Sequence, residues 1–234
     1  MKNTLPKHIL PVIIIAQFAG TSLWFAGNAI VGDLQSLLDL SERALGTITG
    51  VVQLGFITGT LLFAVLSIAD RFSPSLVFLI CAVGGGGMNL AIVGLPPNYE
   101  TILTLRFLTG FFLAGIYPVG MKIAADWYGK GLGKALGYLV GALVLGTALP
   151  HGLKALAVVG SWQQVLIIVG IFSMLGGLLL YLTVPDGPNR KAGAKFEWNA
   201  IPKIFQYPNF RAAAFGYFGH MWELYIKSEL LVWL

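Results

Sequence analysis

An all-α membrane protein is the fold class this sequence predicts, and three observations predict it. Six apolar stretches of about twenty residues follow one another, each long enough for a helix rising about 1.5 Å per residue to cross a hydrocarbon layer of about 30 Å. Hydrophobic residues make up 56% and charged residues 11%, with a mean hydropathy of +0.79, where a soluble domain carries about 25% charge. Lys and Arg alternate between rich and poor loops, eleven on one side against two on the other.

The first span is Leu10 to Ile30. Its Gln17, Trp24 and Asn28 are seven and four apart, which puts them on one helix face that is expected to look inward. The second, Leu45 to Ile68, carries Gly46 and Gly50, then Gly55 and Gly59, small residues four apart that suit close helix packing, and Gln53 as a further polar group. The third, Ser75 to Val93, holds four consecutive glycines, Gly84 to Gly87, and the lone Cys81, so no intrachain disulfide framework is available. No Lys-Ser or Lys-Thr follows the glycine run, so close packing is expected there rather than phosphate cradling.

The fourth span, Ile102 to Ile123, has Gly110, Gly115 and Gly120 drifting around it every five residues, Pro118 as a kink and Tyr117 as a cavity-lining group. It also carries Arg106, the one basic residue well inside the first six spans. An ionisable side chain in lipid is a functional hypothesis by default, so Arg106 is either a holder of an anionic substrate or a responder to protonation of a neighbour, or else a structural cation bonded to backbone carbonyls or snorkelling outward. Arg106, Gln17, Trp24, Asn28, Gln53 and Tyr117 are the candidate substrate-binding residues. The fifth and sixth spans are Ala135 to Val158 and Gln163 to Val184.

The domain organisation expected is a six-helix bundle over residues 1–184, a linker bearing Pro, Gly and Lys over 185–209, and a partial seventh helix over 210–234. That last segment opens with Ala-Ala-Ala-Phe-Gly-Tyr-Phe-Gly and then carries Glu223, Lys227 and Glu229, each costing about 2.5 to 3.5 kcal/mol near the bilayer centre. It therefore calls for partner helices, and beyond Tyr225 the run Ile-Lys-Ser-Glu does not look like a continuing helix. Glu223, about 18 Å into the segment, stands three residues after His220 on the same face, so the two are candidates for proton coupling.

Lys2, Lys7, Arg71, Lys122, Lys130, Lys134, Arg190, Lys191, Lys195, Lys203 and Arg211 lie on one side, against Arg43 and Lys154 on the other. This bias places the N-terminus and the even-numbered loops in the cytoplasm. It also accounts for the net charge of +5 without a nucleic-acid partner, since the basic residues form no patch. The first apolar stretch is too long for a cleaved signal peptide. No nucleophile with a base and no His or Cys cluster at metal spacing is present, so neither an enzyme nor a cofactor is expected.

Six helices, a basic linker and a seventh helix resemble the first half, and the opening of the second, of a major facilitator superfamily transporter. Asp70 and Arg71 match the Asp and basic residue of that family's loop between helices two and three, while Leu66 and Ser73 replace its glycines and Pro74 and Ser75 its further basic pair. Arg106 and Gly110 match the Arg and Gly spacing of its fourth helix, with Thr109 where many members have Gln. Gly137, Gly141 and Gly146 are similar to the glycine spacing of the antiporter branch, but Pro150 comes late for its Gly-Pro motif. The stretch Ala124 to Tyr128 through Gly137 is similar to the junction of helices four and five in bacterial porters of the family.

The resemblance implies Asp70, Arg71 and Gly110 as residues of conformational motifs, and a bacterial inner membrane as location. It implies secondary transport of a small solute, an anion if Arg106 holds it, at a midplane site between two six-helix bundles that rock against each other. Expected partners are the lipid bilayer, the solute, and a second half-transporter or a second copy. A truncated or frame-altered, inactive product is one expectation for this length. The alternatives are a non-transporting membrane module that assembles with a partner, and an antiporter of the drug and proton type.

Overall fold

The computed structural model describes residues 6–156, 158–190 and 200–230. Lys2, Lys191, Lys195, part of the expected linker and residues 231–234 lie outside them, as do the side chains of Lys227 and Glu229. The chain divides into two compact units, Met1–Ala194 and Lys195–Leu234.

Twelve helices account for the regular structure of the described residues: α1 (Ile9–Thr21), α2 (Ala26–Ala29), α3 (Val31–Leu38), α4 (Ala44–Val65), α5 (Ile68–Arg71), α6 (Pro74–Gly94), α7 (Tyr99–Leu113), α8 (Tyr117–Trp127), α9 (Leu132–Ala155), α10 (Trp162–Thr183), α11 (Ala200–Ile204) and α12 (Pro208–Leu230). Five helical segments are long and apolar enough to cross a membrane, namely α4, α6, Tyr99–Trp127, α9 and α10. The first span supplies a shorter apolar helix, because it is broken.

The break is a correction to the expected continuous helix from Leu10 to Ile30. The Thr21 hydroxyl donates to the Gln17 carbonyl at 2.8 Å and the Ser22 hydroxyl to the Ala19 carbonyl at 2.6 Å, drawing the backbone out of helical register where no proline is needed. The N–H groups of Leu23 and Trp24 then bond three residues back, to Gly20 and Thr21. Helix resumes as α2 and continues in α3 to Leu38, eight residues past the expected end.

The fourth span is interrupted as well, between α7 and α8. Pro118 has no N–H to give the carbonyl of Ala114, and its ring crowds that turn, so Ala114, Gly115 and Ile116 bond three residues back instead of four. Asn98 caps the start of α7 by accepting from the Glu100 amide at 2.9 Å, and Pro74 stands at the start of α6, where its missing N–H costs nothing.

Glycines set how closely the helices pack. Gly55 and Gly59 on α4 face the backbone of Phe107 and Phe111 on α7, and Gly86 on α6 faces the carbonyl of Gly170 on α10 at 2.7 Å from where a Cβ would stand. Gly84 lies against the Phe112 ring and Gly177 against Ala82, so the glycine run of α6 packs α7 on one side and α10 on the other. Gly46 and Gly50 are expected to share the packing surface of Gly55 and Gly59, but a Cβ at either would meet nothing within 4 Å among the described residues. They lie nearer the start of α4, beyond the stretch that meets α7.

In the second unit, α12 stays helical to Leu230. This corrects the expectation of a break after Tyr225: Lys, Glu and Leu are good helix formers, and a charge that is costly in lipid does not by itself end a helix.

Candidate functional site

Arg106 sits at the centre of the polar features of the first unit. It is wholly buried, on α7, and its guanidinium reaches the turn between α1 and α2. Nη1 donates to the Leu23 carbonyl at 3.1 Å and Nη2 to the Trp24 carbonyl at 2.5 Å. Nη1 also donates to Asn89 Oδ1 on α6 at 3.4 Å, and the other end of that amide, Nδ2, donates to the Leu166 carbonyl on α10 at 2.9 Å. Arg106 and Asn89 together thus tie the break in the first helix to α7, α6 and α10. Among the described residues no carboxylate lies within ion-pairing distance of Arg106, and its Nε has no partner. Gly27 leaves just enough room: a Cβ there would stand 2.8 Å from Nε and 3.0 Å from Ile48 Cγ2.

Beside the break, two side-chain hydrogen bonds lace the first helix to α4. Trp24 Nε1 donates to Gln53 Oε1 at 3.1 Å, and the Trp24 ring leans on Phe56 with centroids 4.6 Å apart. Asn28 Nδ2 donates to the Thr49 hydroxyl at 2.7 Å, while that hydroxyl donates to the Leu45 carbonyl at 2.8 Å. Because the Thr49 proton is committed, the Asn28 amide is fixed with its NH2 toward α4 and its Oδ1 has no partner among the described residues.

Gln17 does not join this group. The break rotates the two parts of the helix, so Trp24 and Asn28 meet α4, whereas Gln17 is buried against Gly120 of α8 with neither amide atom bonded among the described residues. The common face expected of Gln17, Trp24 and Asn28 holds only for the last two. Tyr117 opens α8, half-buried.

Asp70 and Arg71 belong to a second polar cluster, where the basic loops converge. Lys122 of α8 pairs with Asp70 at 2.9 Å and with Asp126 at 3.6 Å. Asp70, Lys122 and Ser67 line a crevice of about 380 Å³ whose other walls include Phe63, Pro118 and Val119. Arg71 ends α5 and is exposed. The segment after α10 is fastened here too: Ser75 donates to the Val184 carbonyl at 2.7 Å, Trp127 Nε1 to the Pro185 carbonyl at 3.0 Å, Ser73 to Asp186 at 2.7 Å, and the Asn189 amide to the Asp126 carbonyl at 2.9 Å. Arg190 pairs with Asp186 and donates to the Phe72 carbonyl at 2.9 Å. At the opposite end Lys154 pairs with Asp33.

Gly110 is part of the α4 contact, against the Val52 carbonyl. His220 and Glu223 lie three residues apart on α12, both exposed within the second unit. Sequence reasoning missed Asn89, Thr49 and the Asp126–Asp186–Arg190 cluster. A single Asn in an otherwise apolar span was the available signal for Asn89.

A family profile described as Major Facilitator Superfamily matches residues 11–234 of this chain. A protein of Escherichia coli (strain K12) named "Probable L-galactonate transporter" is 28% identical over 154 residues, 62% of this chain and 32% of that protein. A nitrate/nitrite transporter of Nostoc punctiforme is 26% identical over 174 residues, 70% of this chain and 34% of that protein. The chain therefore spans about a third of the length of these relatives. Among solved structures, a bacterial homolog of the human lysosomal transporter Spinster, inward-facing and unoccupied, superposes with a TM-score of 0.65 at 18% identity over 82% of this chain and 46% of that one, which is a likeness of fold.

Proposed function

The chain belongs to the major facilitator superfamily, and from that premise we propose that it forms the N-terminal bundle of a secondary transporter that carries a small anion by alternating access. Membership makes it a multi-pass integral membrane protein of transmembrane transport. The choice of an anion rests on one observation, the buried Arg106 guanidinium with no carboxylate to neutralise it among the described residues. A cation held in a low-dielectric interior without a counter-charge favours an anionic solute and rejects a cationic one. Two relatives are named for anions, L-galactonate and nitrate or nitrite, which supports this reading.

In this reading Trp24, Asn28, Gln53 and Tyr117 line the path beside Arg106, and Asp70, Arg71 and Gly110 serve the motion of the bundle. The eleven-to-two distribution of Lys and Arg supports a cytoplasmic N-terminus, in a bacterial inner membrane. Rocking needs a second bundle, from the other half of the transporter or from a second copy.

The test is uptake of labelled gluconate, nitrate and a neutral polyol into proteoliposomes holding the complete transporter. Arg106→Gln is expected to cut anion uptake by about 30-fold or more, the cost of losing one side of a buried charged contact. Unchanged anion uptake by that variant, with correct insertion, would sink the anion reading.

A further inference from the structure

We infer that Asn89 is the positioning residue of the anion site: a neutral acceptor that holds the Arg106 guanidinium in place without cancelling its charge. The inference rests on the anion reading above and adds to it a residue outside the sequence motifs.

Asn89 is wholly buried in the C-terminal third of α6, between an arginine on α7 and a backbone carbonyl on α10. Arg106 offers only donors, so it must meet the amide oxygen. The Leu166 carbonyl offers only lone pairs, so it must meet the amide NH2. The amide orientation is therefore fixed from both sides, and both of its heteroatoms are used.

Few side chains meet these demands. Leu would leave the Leu166 contact and one Arg106 N–H empty. Asp would keep the bond to Arg106 and strengthen it, but would set carboxylate oxygen against carbonyl oxygen at Leu166 and remove the net positive charge. The remaining acceptors of Arg106, the carbonyls of Leu23 and Trp24, are also neutral. All three acceptors thus hold the guanidinium while leaving its charge uncompensated, and Asn89 is the one among them that a substitution can change directly. Through Leu166 it also registers the guanidinium against α10.

The test compares Asn89→Asp, Asn89→Ser and Arg106→Gln in the complete transporter, reading KM and kcat for gluconate uptake beside the thermal midpoint in detergent. Asn89→Asp is expected to raise KM by about tenfold or more, the scale of a charge-assisted bond lost to the solute. Asn89→Ser, neutral but too short to span Arg106 and Leu166, is expected to lower the midpoint and to raise KM by about threefold or more, since the charge survives but is no longer held in place. A parental KM in Asn89→Asp, with uptake lost in Arg106→Gln, overturns the role of Asn89 alone. Parental uptake in Arg106→Gln overturns the anion reading and this inference with it. If Asn89→Asp does not fold, a parental KM in Asn89→Ser overturns the inference, because the guanidinium would then keep its place without the amide.

Discussion

Gly110 lies beneath the carbonyl oxygen of Val52, so close that a Cβ at Gly110 would overlap that oxygen. Five residues on, Gly115 faces Cys81 of α6, and five further Gly120 faces Gln17 of α1. The three glycines thus present their bare faces to three different neighbours. Gly110→Ala is expected to be the most damaging of the three, by about 1 to 3 kcal/mol or outright misfolding, because a backbone oxygen cannot swing aside. Gly120→Ala should cost less, since the Gln17 amide can rotate away. Thermal midpoints of the two variants in detergent check the order.

How much of this was legible beforehand depends on the range of each interaction. The spans follow from local hydropathy, and the kink at Pro118 from the missing N–H of one residue. The packing role of Gly84 to Gly87 was readable because bulk is excluded there whichever helix supplies the neighbour. The break at Ser22–Phe25 was not readable. It rests on hydroxyl bonds within one turn, which many unbroken helices also make, and on a guanidinium 83 residues away that takes the freed carbonyls. The grouping of Gln17 with Trp24 and Asn28 failed for the same reason, since it assumed one unbroken helix. Asn89 was overlooked because its meaning comes from Arg106 and Leu166, neither of them near it in sequence.

The segment after α10 is held against the bundle, and Gly187 makes that possible. A Cβ at Gly187 would overlap the backbone of Asp126 and stand 2.9 Å from its side chain. Gly187→Ala should therefore lift Pro185–Arg190 off α8 and break the Asn189 to Asp126 and Trp127 to Pro185 bonds. Faster amide exchange at Asn189 than in the parent, with helices α6 and α7 unchanged, is the expected result.

Asn28 and Thr49 provide a direct measure of one rung between the first helix and α4. A single interhelical hydrogen bond in a membrane protein contributes about 0.6 kcal/mol, with an upper end near 1.7. The cycle of Asn28→Ala, Thr49→Val and the double variant is expected to give a coupling energy in that range, because the 2.7 Å bond is short and its donor and acceptor are fixed. A coupling near zero would mean that the rung does not hold the outer part of the first helix.

Glu223 and His220 stand one turn apart on α12, and the proposed role of this pair is to accept and release the coupling proton. One proton entering with one monovalent anion moves no net charge, so the pH difference drives the pair, at about 1.4 kcal/mol or tenfold accumulation per pH unit. If Glu223 carries that proton, uptake by the complete transporter should rise when the outside is made acidic relative to the inside. Glu223→Gln should flatten this response, since the amide cannot exchange a proton at any pH in use. Exchange of labelled for unlabelled solute across equal pH should survive in the variant, because it needs binding and rocking but no net proton movement. Loss of exchange together with the pH response would assign Glu223 to folding or solute binding instead. A pH response kept intact would place the proton on another group.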